Sequence, residues 1–392
     1  MSENVFQTVV VVVRPTLLCN YSCDYCYISP KNRQQHGWLE PGSVGRLIRV
    51  LSGLECQKVT LSWQGGEPTL AGRERLKQLI DAAESEAGRV SMLLQNCLHT
   101  NGTLIDSDWA SFFAERGFSV GVSIDAYQEA NDRHRRWASG LHHVSPHTRA
   151  MISLDILRKE GVSVEVTSTL VDPDCLDVDR LYEFYRSLCV ERINVEPKLT
   201  WTPWNRSPDG SQWLMPYARL LLQLFNRWKC DDENRPRIQY FELIDDILLG
   251  GENEACHMSG ACWNHIMLQP NGDVFPCDQF GDDPNYVIAN VDDDQLVSRL
   301  RELPAGPLAT ISEKFKGACL GCLWYSLCRG GCLYQRLSES SSSAQGGGYP
   351  SQCWRSYMFS EIVLGLGRAW PRREDGVGAK RRERAAPCNT ED

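Results

Sequence analysis

The sequence contains no long hydrophobic run and no secretory signal. No stretch approaches the roughly 20 consecutive apolar residues of a membrane-spanning helix. Residues 1–8 lack the basic segment of a signal peptide, and the apolar run 9–13 is shorter than the hydrophobic segment of one. Basic residues are not in excess, since 41 Lys and Arg stand against 50 Asp and Glu. We therefore expect a cytoplasmic protein that binds neither a membrane nor nucleic acid.

Cysteine, by contrast, is abundant. The 392 residues include 17 cysteines, which is too dilute for a small disulfide scaffold and too many for an average cytosolic enzyme. An odd number of cysteines without a secretory signal favours metal ligands or free thiols over disulfide bridges. The composition therefore predicts a metal or cluster protein.

Short β-branched runs alternate with helical patterns over the first 200 residues. The predicted strands are residues 9–14, 58–63, 91–99, 118–124, 162–171 and 192–196, and the predicted helices are residues 41–52, 72–88, 106–116, 148–160 and 177–187. This alternation implies right-handed crossovers and a parallel α/β sheet, either open or closed into a full or partial barrel. In such folds the chemistry collects at the C-terminal ends of the strands.

The character of the chain changes after one more amphipathic helix at 211–229. Cysteine, glycine and turn residues dominate 255–354. We expect one domain over residues 1–235, a cysteine-rich domain over 236–360, and a C-terminal extension over 361–392 that ends in a mobile Arg-rich tail. The serine- and glycine-rich segment 338–348 predicts a flexible loop.

Three cysteines follow the first predicted strand. Cys19, Cys23 and Cys26 are separated by three and two residues, so that one loop can wrap around one face of an iron–sulfur cluster. Three ligands leave one iron of a four-iron cluster open. The alternative is a zinc site that lacks its fourth ligand.

This CxxxCxxC pattern, with an aromatic residue before its last cysteine, resembles the radical S-adenosylmethionine (SAM) superfamily. In that family SAM chelates the open iron with its amino and carboxylate groups, and its reductive cleavage gives a 5′-deoxyadenosyl radical. The resemblance implies a partial (β/α)6 TIM-like barrel. Further positions resemble the family's SAM-binding segments: Gln64, Gly65, Gly66, Glu67, Asn101, Ser123 and Asp125. Ordinary Gly-Gly and Asn-Gly turns would also account for several of them.

A second set of eight cysteines lies in the C-terminal part. Its spacing resembles the SPASM domain, an extension of some radical SAM enzymes that carries two auxiliary four-iron clusters. The resemblance assigns one cluster to Cys256, Cys262, Cys277 and Cys332, and the other to Cys319, Cys322, Cys328 and Cys353. Two zinc ribbons would use the same residues. The implied cofactors are three [4Fe-4S] clusters and SAM, with an electron donor such as flavodoxin or ferredoxin.

Residues 6–360 resemble the anaerobic sulfatase-maturating enzymes in particular. Those enzymes oxidise a Cys or Ser side chain of a sulfatase to formylglycine. Asp278 follows a cluster cysteine and corresponds to the general base of that family. A turn-stabilising role is the alternative for this carboxylate. The resemblance thus implies two-electron oxidation of a side chain or an alcohol.

Departures from that family leave the substrate open to a small molecule, a sugar or a peptide. Ala126 and Tyr127 follow Asp125 where Gly-Pro is usual, and His99 replaces a common Gln. The second hypothesis is therefore a redox-neutral epimerase or another tailoring enzyme of secondary metabolism. An epimerase needs a hydrogen-atom donor, and Cys97 is the candidate because it and His99 share a strand face. An inert buried thiol is the alternative.

A basic run and a pair of tryptophans are two further features of the sequence. The basic run 133–136 predicts a solvated loop, and contact with a carboxylate or phosphate of SAM or substrate is the alternative. Trp201 and Trp204 stand where substrate would enter or simply pack at a rim. An iron–sulfur electron carrier or a zinc-stabilised binding module would also use eleven cysteines. Neither explains the Gly-Gly-Glu segment or the barrel-like half of the chain.

Overall fold

The computed structural model describes residues 6–34, 37–139, 143–198, 201–202, 205–206, 214–231, 234–251, 253, 255–259, 262–281, 283–342 and 353–367. Within these ranges, none of the helices combines the length and the apolarity that crossing a membrane requires. Trp204 and the tail from 368 onwards lie outside the described residues, as do the side chains of residues 201–213.

Six parallel strands form the first half of the fold, in chain order across one sheet. They are β1 (Thr8–Val13), β2 (Lys58–Trp63), β3 (Leu93–Thr100), β4 (Ser119–Ser123), β5 (Ser163–Leu170) and β6 (Arg192–Pro197). A two-stranded hairpin of β7 (Trp201–Thr202) and β8 (Asn205–Arg206) follows. The parallel order of the six strands confirms the predicted α/β class.

Helices connect these strands. They are α1 (Pro41–Ser52), α2 (Arg73–Arg89), α3 (Ser107–Glu115), α4 (Gln128–His134), α5 (Pro146–Lys159) and α6 (Val178–Ser187). Side-chain caps fix where several begin: Asp106, Ser145 and Asp177 accept hydrogen bonds from backbone N–H groups of the first turns of α3, α5 and α6. The sequence predicted all of these strands and helices except β7, β8 and α4. The first and last residues of each predicted element lie within two residues of their predicted positions.

Strand alternation separates the core from the barrel interior. On β5 the side chains of Val164, Val166 and Ser168 are buried, and those of Glu165 and Thr167 are only partly buried. The buried set packs against the helices, where the apolar side chains form one large core. The polar set of β5 is thus left to line the interior of the barrel.

The second half of the chain extends the same sheet. Strand β9 (His265–Leu268) pairs in parallel with β1, and β10 (Asp273–Phe275) and β11 (Ala289–Asn290) add antiparallel to it. The helices of this half are α7 (Leu214–Trp228), α8 (Gln239–Leu248), α9 (Cys256–Ser259), α10 (Leu296–Glu302), α11 (Pro307–Cys319), α12 (Tyr325–Cys328), α13 (Leu333–Ser342) and α14 (Trp354–Gly365). The cysteine-rich segment is therefore attached to the edge strand that opens the barrel.

The structure contradicts two of the sequence predictions. The loop predicted over 338–348 begins too early, because α13 continues to Ser342; residues 343–348 lie outside the described residues. The basic run 133–136 is not a solvated loop. It ends α4 and places Arg135 in the interior, where its side chain pairs with Asp125.

Candidate cofactor and cluster site

Cys19, Cys23 and Cys26 lie together on the loop that follows β1. Burial is the main cause that raises the pKa of Cys19 to about 12 and that of Cys23 to about 11. The neighbouring Cys23 and Cys26 also contribute to the raised pKa of Cys19. Buried thiols of this kind become thiolates when a positively charged group binds among them. The donor set therefore fits a cationic cluster on this loop.

Gly65 and Gly66 give the cysteine loop its room. A Cβ at Gly66 would overlap the carbonyl oxygens of Leu17 and Leu18, and one at Gly65 would lie 2.7 Å from the carbonyl oxygen of Thr16. Gly65 also has φ +128°, a conformation that other residues rarely adopt. The two glycines thus admit the backbone of the cysteine loop to the end of β2.

Replacing Gly66 with alanine is expected to displace this loop, because the overlap is with backbone atoms that have no rotamer to change. A displacement of about 1 Å in a reactive centre costs on the order of 100-fold in rate. Iron content after anaerobic reconstitution and the melting temperature measure the effect. Gly88→Ala is the control, since nothing lies within 4 Å of its added Cβ and it sits in α2. Equal iron content in the two variants would contradict the expectation.

Glu67 is fully buried, and its carboxylate is occupied by its own chain. Its oxygens accept hydrogen bonds from the backbone N–H and hydroxyl of Thr69, from the Thr100 hydroxyl at 2.7 Å and from the Asn101 N–H at 2.7 Å. Its own N–H donates to the carbonyl of Leu18. Glu67 thereby ties the ends of β2 and β3 to the cysteine loop. The N–H groups of Gly66 and Glu67 donate to Thr16 and Leu18, so the carbonyl groups of Gly65 and Gly66 are the part of this segment that faces a ligand.

Asn101 makes a second tie to the same loop. Its amide donates to Asn20 Oδ1 at 2.8 Å and to the sulfur of Cys19 at 3.9 Å. Asn20 in turn donates to the hydroxyl of Thr103 at 2.8 Å. This side chain therefore positions the first cysteine of the loop.

Asp125 makes the third tie. Its carboxylate accepts from the hydroxyl of Tyr25 at 2.6 Å, from the guanidinium of Arg135 at 2.9 Å and from the N–H of Thr169 at 3.1 Å. Arg135 also lies over the ring of Tyr25, 5.5 Å from its centre. The loop between Cys23 and Cys26 is held by this buried ion pair.

The remaining two residues of the predicted SAM site have few contacts of their own. Ser123 is half-buried at the end of β4, and Gln64 is half-buried at the end of β2, where its amide lies 3.5 Å from the Ser62 hydroxyl. Both lie at the C-terminal ends of parallel strands. Their side chains are the freest of the set for a ligand.

The first auxiliary group consists of Cys256, Cys262, Cys277 and Cys332. Burial is the main cause of the raised pKa of Cys256, and Cys332 and Cys262 add to it. Burial also raises the pKa of Cys332 to about 11 and that of Cys277 well above its usual value. These mutual effects place the four thiols in one neighbourhood.

The second auxiliary group consists of Cys319, Cys322, Cys328 and Cys353, which together line one cavity. Burial raises the pKa of Cys328 to about 11, and Cys353 and Cys319 contribute to the rise. Arg336 and Arg355 line the same cavity. In the described part of the chain, no three His, Cys, Asp or Glu side chains converge on a point that would hold a single metal ion.

Asp278 lies between the first auxiliary group and the cysteine loop. Its carboxylate accepts from the Cys277 thiol at 3.2 Å and from the Gln279 amide at 3.0 Å. Its backbone carbonyl accepts from Arg14 at 3.0 Å, and the guanidinium of Arg14 lies 5.5 Å from the centre of the Tyr27 ring. Arg14 thus bridges the end of the cysteine loop and the segment that carries Asp278.

The barrel interior also contains groups that the sequence analysis did not single out. Glu196 lies one residue before the end of β6 with an exposed side chain, and desolvation by the surrounding protein together with Asp278 raises its pKa to about 7. Glu165 and Asp278 both act on His99, whose pKa burial lowers. Strand alternation on β5 and β6 is the signal that would have placed both glutamates in the interior.

Cys97 faces this interior from β3. It is partly exposed, and burial raises its pKa, so that it is a protonated thiol. Of the other cysteines outside the three groups, Cys56 is buried, three are exposed and one lies outside the described residues: Cys175, Cys189, Cys230 and Cys388.

Residues 13–188 match the radical SAM superfamily. The chain is 27% identical over 338 residues to a cysteine-type anaerobic sulfatase-maturating enzyme of Clostridium perfringens. This alignment covers 83% of this chain and 89% of that protein. It is 24% identical over 375 residues to a serine-type enzyme of Bacteroides thetaiotaomicron, over 89% of this chain and 88% of that one.

Solved structures share the fold. Native anSMEcpe with bound AdoMet and Cp18Cys peptide aligns with a TM-score of 0.74 at 23% identity, over 92% of this chain and 97% of that one. Streptococcus suis SuiB bound to precursor peptide SuiA aligns with a TM-score of 0.61 at 16% identity, over 87% and 74%. The barrel and its cysteine-rich extension therefore recur together as one architecture.

Proposed function

We propose that this chain, whose residues 13–188 match the radical SAM superfamily and which is similar to the anaerobic sulfatase-maturating enzymes, is a radical SAM enzyme that oxidises a substrate carbon by two electrons. The observation that carries the proposal is the sorting of eleven cysteines into a three-thiol loop and two four-thiol groups. The three-thiol loop would hold a [4Fe-4S] cluster with one iron open, and the two auxiliary groups would each hold a fully ligated cluster.

When bound, the first cluster and SAM supply a 5′-deoxyadenosyl radical that removes a hydrogen atom from the substrate. The chain's own residues hold the loop in place and exclude water from it. Glu67, Asn101 and Asp125 each tie the cysteine loop to a strand end by hydrogen bonds. All three side chains are buried. The backbone carbonyls of Gly65 and Gly66, with the side chains of Ser123 and Gln64, would receive SAM.

Asp278 is the proposed general base. Its carboxylate stands next to Cys277 and takes the proton from the substrate hetero-atom beside the reacting carbon. Arg14, which directly follows β1, holds the backbone of Asp278 by a hydrogen bond to its carbonyl. A proton acceptor would thereby lie between the cysteine loop, where the radical would form, and the first auxiliary group.

A peptide side chain is the proposed substrate class. Two structures of the same fold are described with bound peptides, Cp18Cys in one and SuiA in the other. The polar lining of the barrel interior, with Glu165 and Glu196, suits a substrate that offers hydrogen-bond donors. Formation of 5′-deoxyadenosine with a panel of Cys- and Ser-containing peptides would test this directly.

Asp278→Asn is expected to separate SAM cleavage from oxidation. Loss of a general base costs about 100- to 10,000-fold in rate, whereas SAM cleavage requires only the cysteine loop. Oxidised product and 5′-deoxyadenosine are measured in the same anaerobic assay. Asp292→Asn is the control, since that exposed carboxylate pairs with Arg46 on the surface. If Asp278→Asn forms product at the rate of the control, Asp278 is not the base.

Epimerisation is the second candidate, and the position of Cys97 in the barrel interior favours it. A thiol there is suited to return a hydrogen atom to the opposite face of a substrate radical, and the thiyl radical that remains would be restored by one electron from the external electron donor and a proton from solvent. Such a reaction in D₂O would place one deuterium on the product carbon, and Cys97→Ala would stop turnover after SAM cleavage. Oxidation predicts unlabelled, oxidised product from both chains.

A further inference from the structure

Glu196 lies near the C-terminal end of β6, close to the segments that hold the cysteine loop. In the register of β5 and β6 it is opposite Thr169, whose N–H donates to the carboxylate of Asp125 at 3.1 Å. Burial and then the neighbouring thiols raise the pKa of Cys256, and Asp278 and Glu196 add to the rise. Glu196 therefore lies between the strand ends of the barrel and the first auxiliary group, as the proposed general base does.

Glu196 has no counter-ion among the residues that the structure describes. None of them forms a hydrogen bond or an ion pair with its carboxylate. Its side chain is exposed, yet desolvation by the surrounding protein and the negative charge of Asp278 raise its pKa to about 7. Glu165, by contrast, has the guanidinium of Arg192 at 3.7 Å and the amide of Asn194 at 3.3 Å. The charge of Glu196 is thus the one left unbalanced.

Two side-chain amides nearby also lack a hydrogen-bond donor. Ile193 and Val195 are buried on the core side of β6, so alternation places Asn194 on the same face as Glu196. Asn194 gives its N–H to Glu165, and Gln279 gives its N–H to Asp278 at 3.0 Å. The oxygen of each amide is buried and accepts no hydrogen bond from the described residues. Turning either amide over would set its oxygen against a carboxylate, so both oxygens stay without a donor.

An unbalanced carboxylate in these surroundings favours a cationic ligand. Desolvation of an isolated charge costs free energy, and a cation at hydrogen-bond distance offsets that cost. A protonated amine carries three donors and no acceptor, so it suits a region where acceptors outnumber donors. His99 does not supply the cation, because burial lowers its pKa and leaves the imidazole neutral at neutral pH. The missing positive charge is therefore expected from the substrate.

We propose that Glu196 binds a protonated amino group of the substrate and so selects substrates that carry this group close to the oxidised carbon. The inference rests on the proposed function, because closeness to that carbon follows from the position of Glu196 beside the general base Asp278. It narrows the substrate class from groups with hydrogen-bond donors to groups with a primary amine. A lysine of a peptide and an amino sugar offer the same group, and the experiment distinguishes them.

Equilibrium dialysis of two matched pairs of probes tests the inference without turnover. The reconstituted full chain is kept with SAM and without reductant. One pair is a serine-containing peptide with a lysine next to the serine, and the same peptide with that lysine acetylated. The other pair is glucosamine and N-acetylglucosamine. Hydrogen bonds between charged groups are strong, so we expect the free amine of at least one pair to bind about 10-fold or more tightly than its acetylated form.

Three variants separate the charge of Glu196 from its shape. Glu196→Gln keeps the shape and loses the charge, so it is expected to remove the preference for the free amine. Glu196→Asp keeps the charge and should retain part of the preference. Glu115→Gln removes an exposed carboxylate at the end of α3 and should leave the preference unchanged. Melting temperatures check that each variant is folded.

The pair that shows the preference identifies the source of the amine as a peptide or an amino sugar. The inference is overturned if neither free amine is preferred by the original chain, or if the preference persists in Glu196→Gln. Addition of reductant to the same samples then tests the proposed function separately. Absence of oxidised product and of 5′-deoxyadenosine with every probe counts against oxidation, whereas the role of Glu196 is decided by binding alone.

Discussion

A chain with Cys23→Ala is expected to form no detectable 5′-deoxyadenosine from SAM. Cys23 is the middle of the three thiols on the loop after β1, and a loop with two thiols cannot hold a four-iron cluster with one open position. The auxiliary groups lie on other segments and keep their eight cysteines. Iron content should therefore fall from about twelve to about eight per chain.

The matched control for this experiment is Cys175→Ala. Cys175 is exposed and belongs to none of the three groups. It should leave iron content and SAM cleavage at their original values. Full SAM cleavage by the Cys23→Ala chain would contradict the assignment of the loop, and loss of all iron would show that the three groups assemble together.

Arg135→Met is expected to lower the free energy of unfolding by about 3–5 kcal/mol, because it leaves a buried carboxylate without its cation. Arg135 and Asp125 form an ion pair of 2.9 Å, with side chains only 10% and 5% exposed. Total stabilities of domains are about 5–15 kcal/mol, so this is a large part of the whole. Denaturant unfolding of the chain under reducing, anaerobic conditions measures it.

Arg133→Met serves as the control for this prediction. Arg133 lies two residues before Arg135, in the last turn of α4, and its side chain is exposed, so its loss should change stability by no more than about 0.5 kcal/mol. Equal unfolding curves for the two variants would mean that the ion pair contributes nothing. Reduced iron content in Arg135→Met alone would further tie the pair to the cysteine loop through Tyr25.

The sequence was informative where pattern and chemistry coincide. Strand and helix periods located the barrel units, because each must bury one face, and cysteine spacing suggested three groups. The structure brings the thiols of each group together. The spacing of the thiols is local, whereas the positions of Glu165 and Glu196 depend on which face of each strand turns inward.

The roles of the polar motifs were harder to predict. Glu67, Asn101 and Asp125 stand at strand ends, where a ligand contact and an internal tie require the same residue types. Only the partners distinguish the two roles, and the sequence does not show which residues they are: Tyr25 lies 100 residues from Asp125, and Arg135 meets Asp125 from the far end of α4. The burial of Arg135 was missed for the same reason, since four consecutive basic residues resemble a solvated surface.

The pairing of β9 with β1 constrains how this protein could be divided. Strand β1 is a run of one threonine and five valines, and it pairs with β2 on one side and β9 on the other. Expression of the barrel half alone would leave the β9 side of this strand open along a row of unpaired N–H and C=O groups. Valine-rich edges of that kind recruit other chains and aggregate. The C-terminal half therefore also acts as the cover that keeps the barrel soluble, and the two halves are not interchangeable modules.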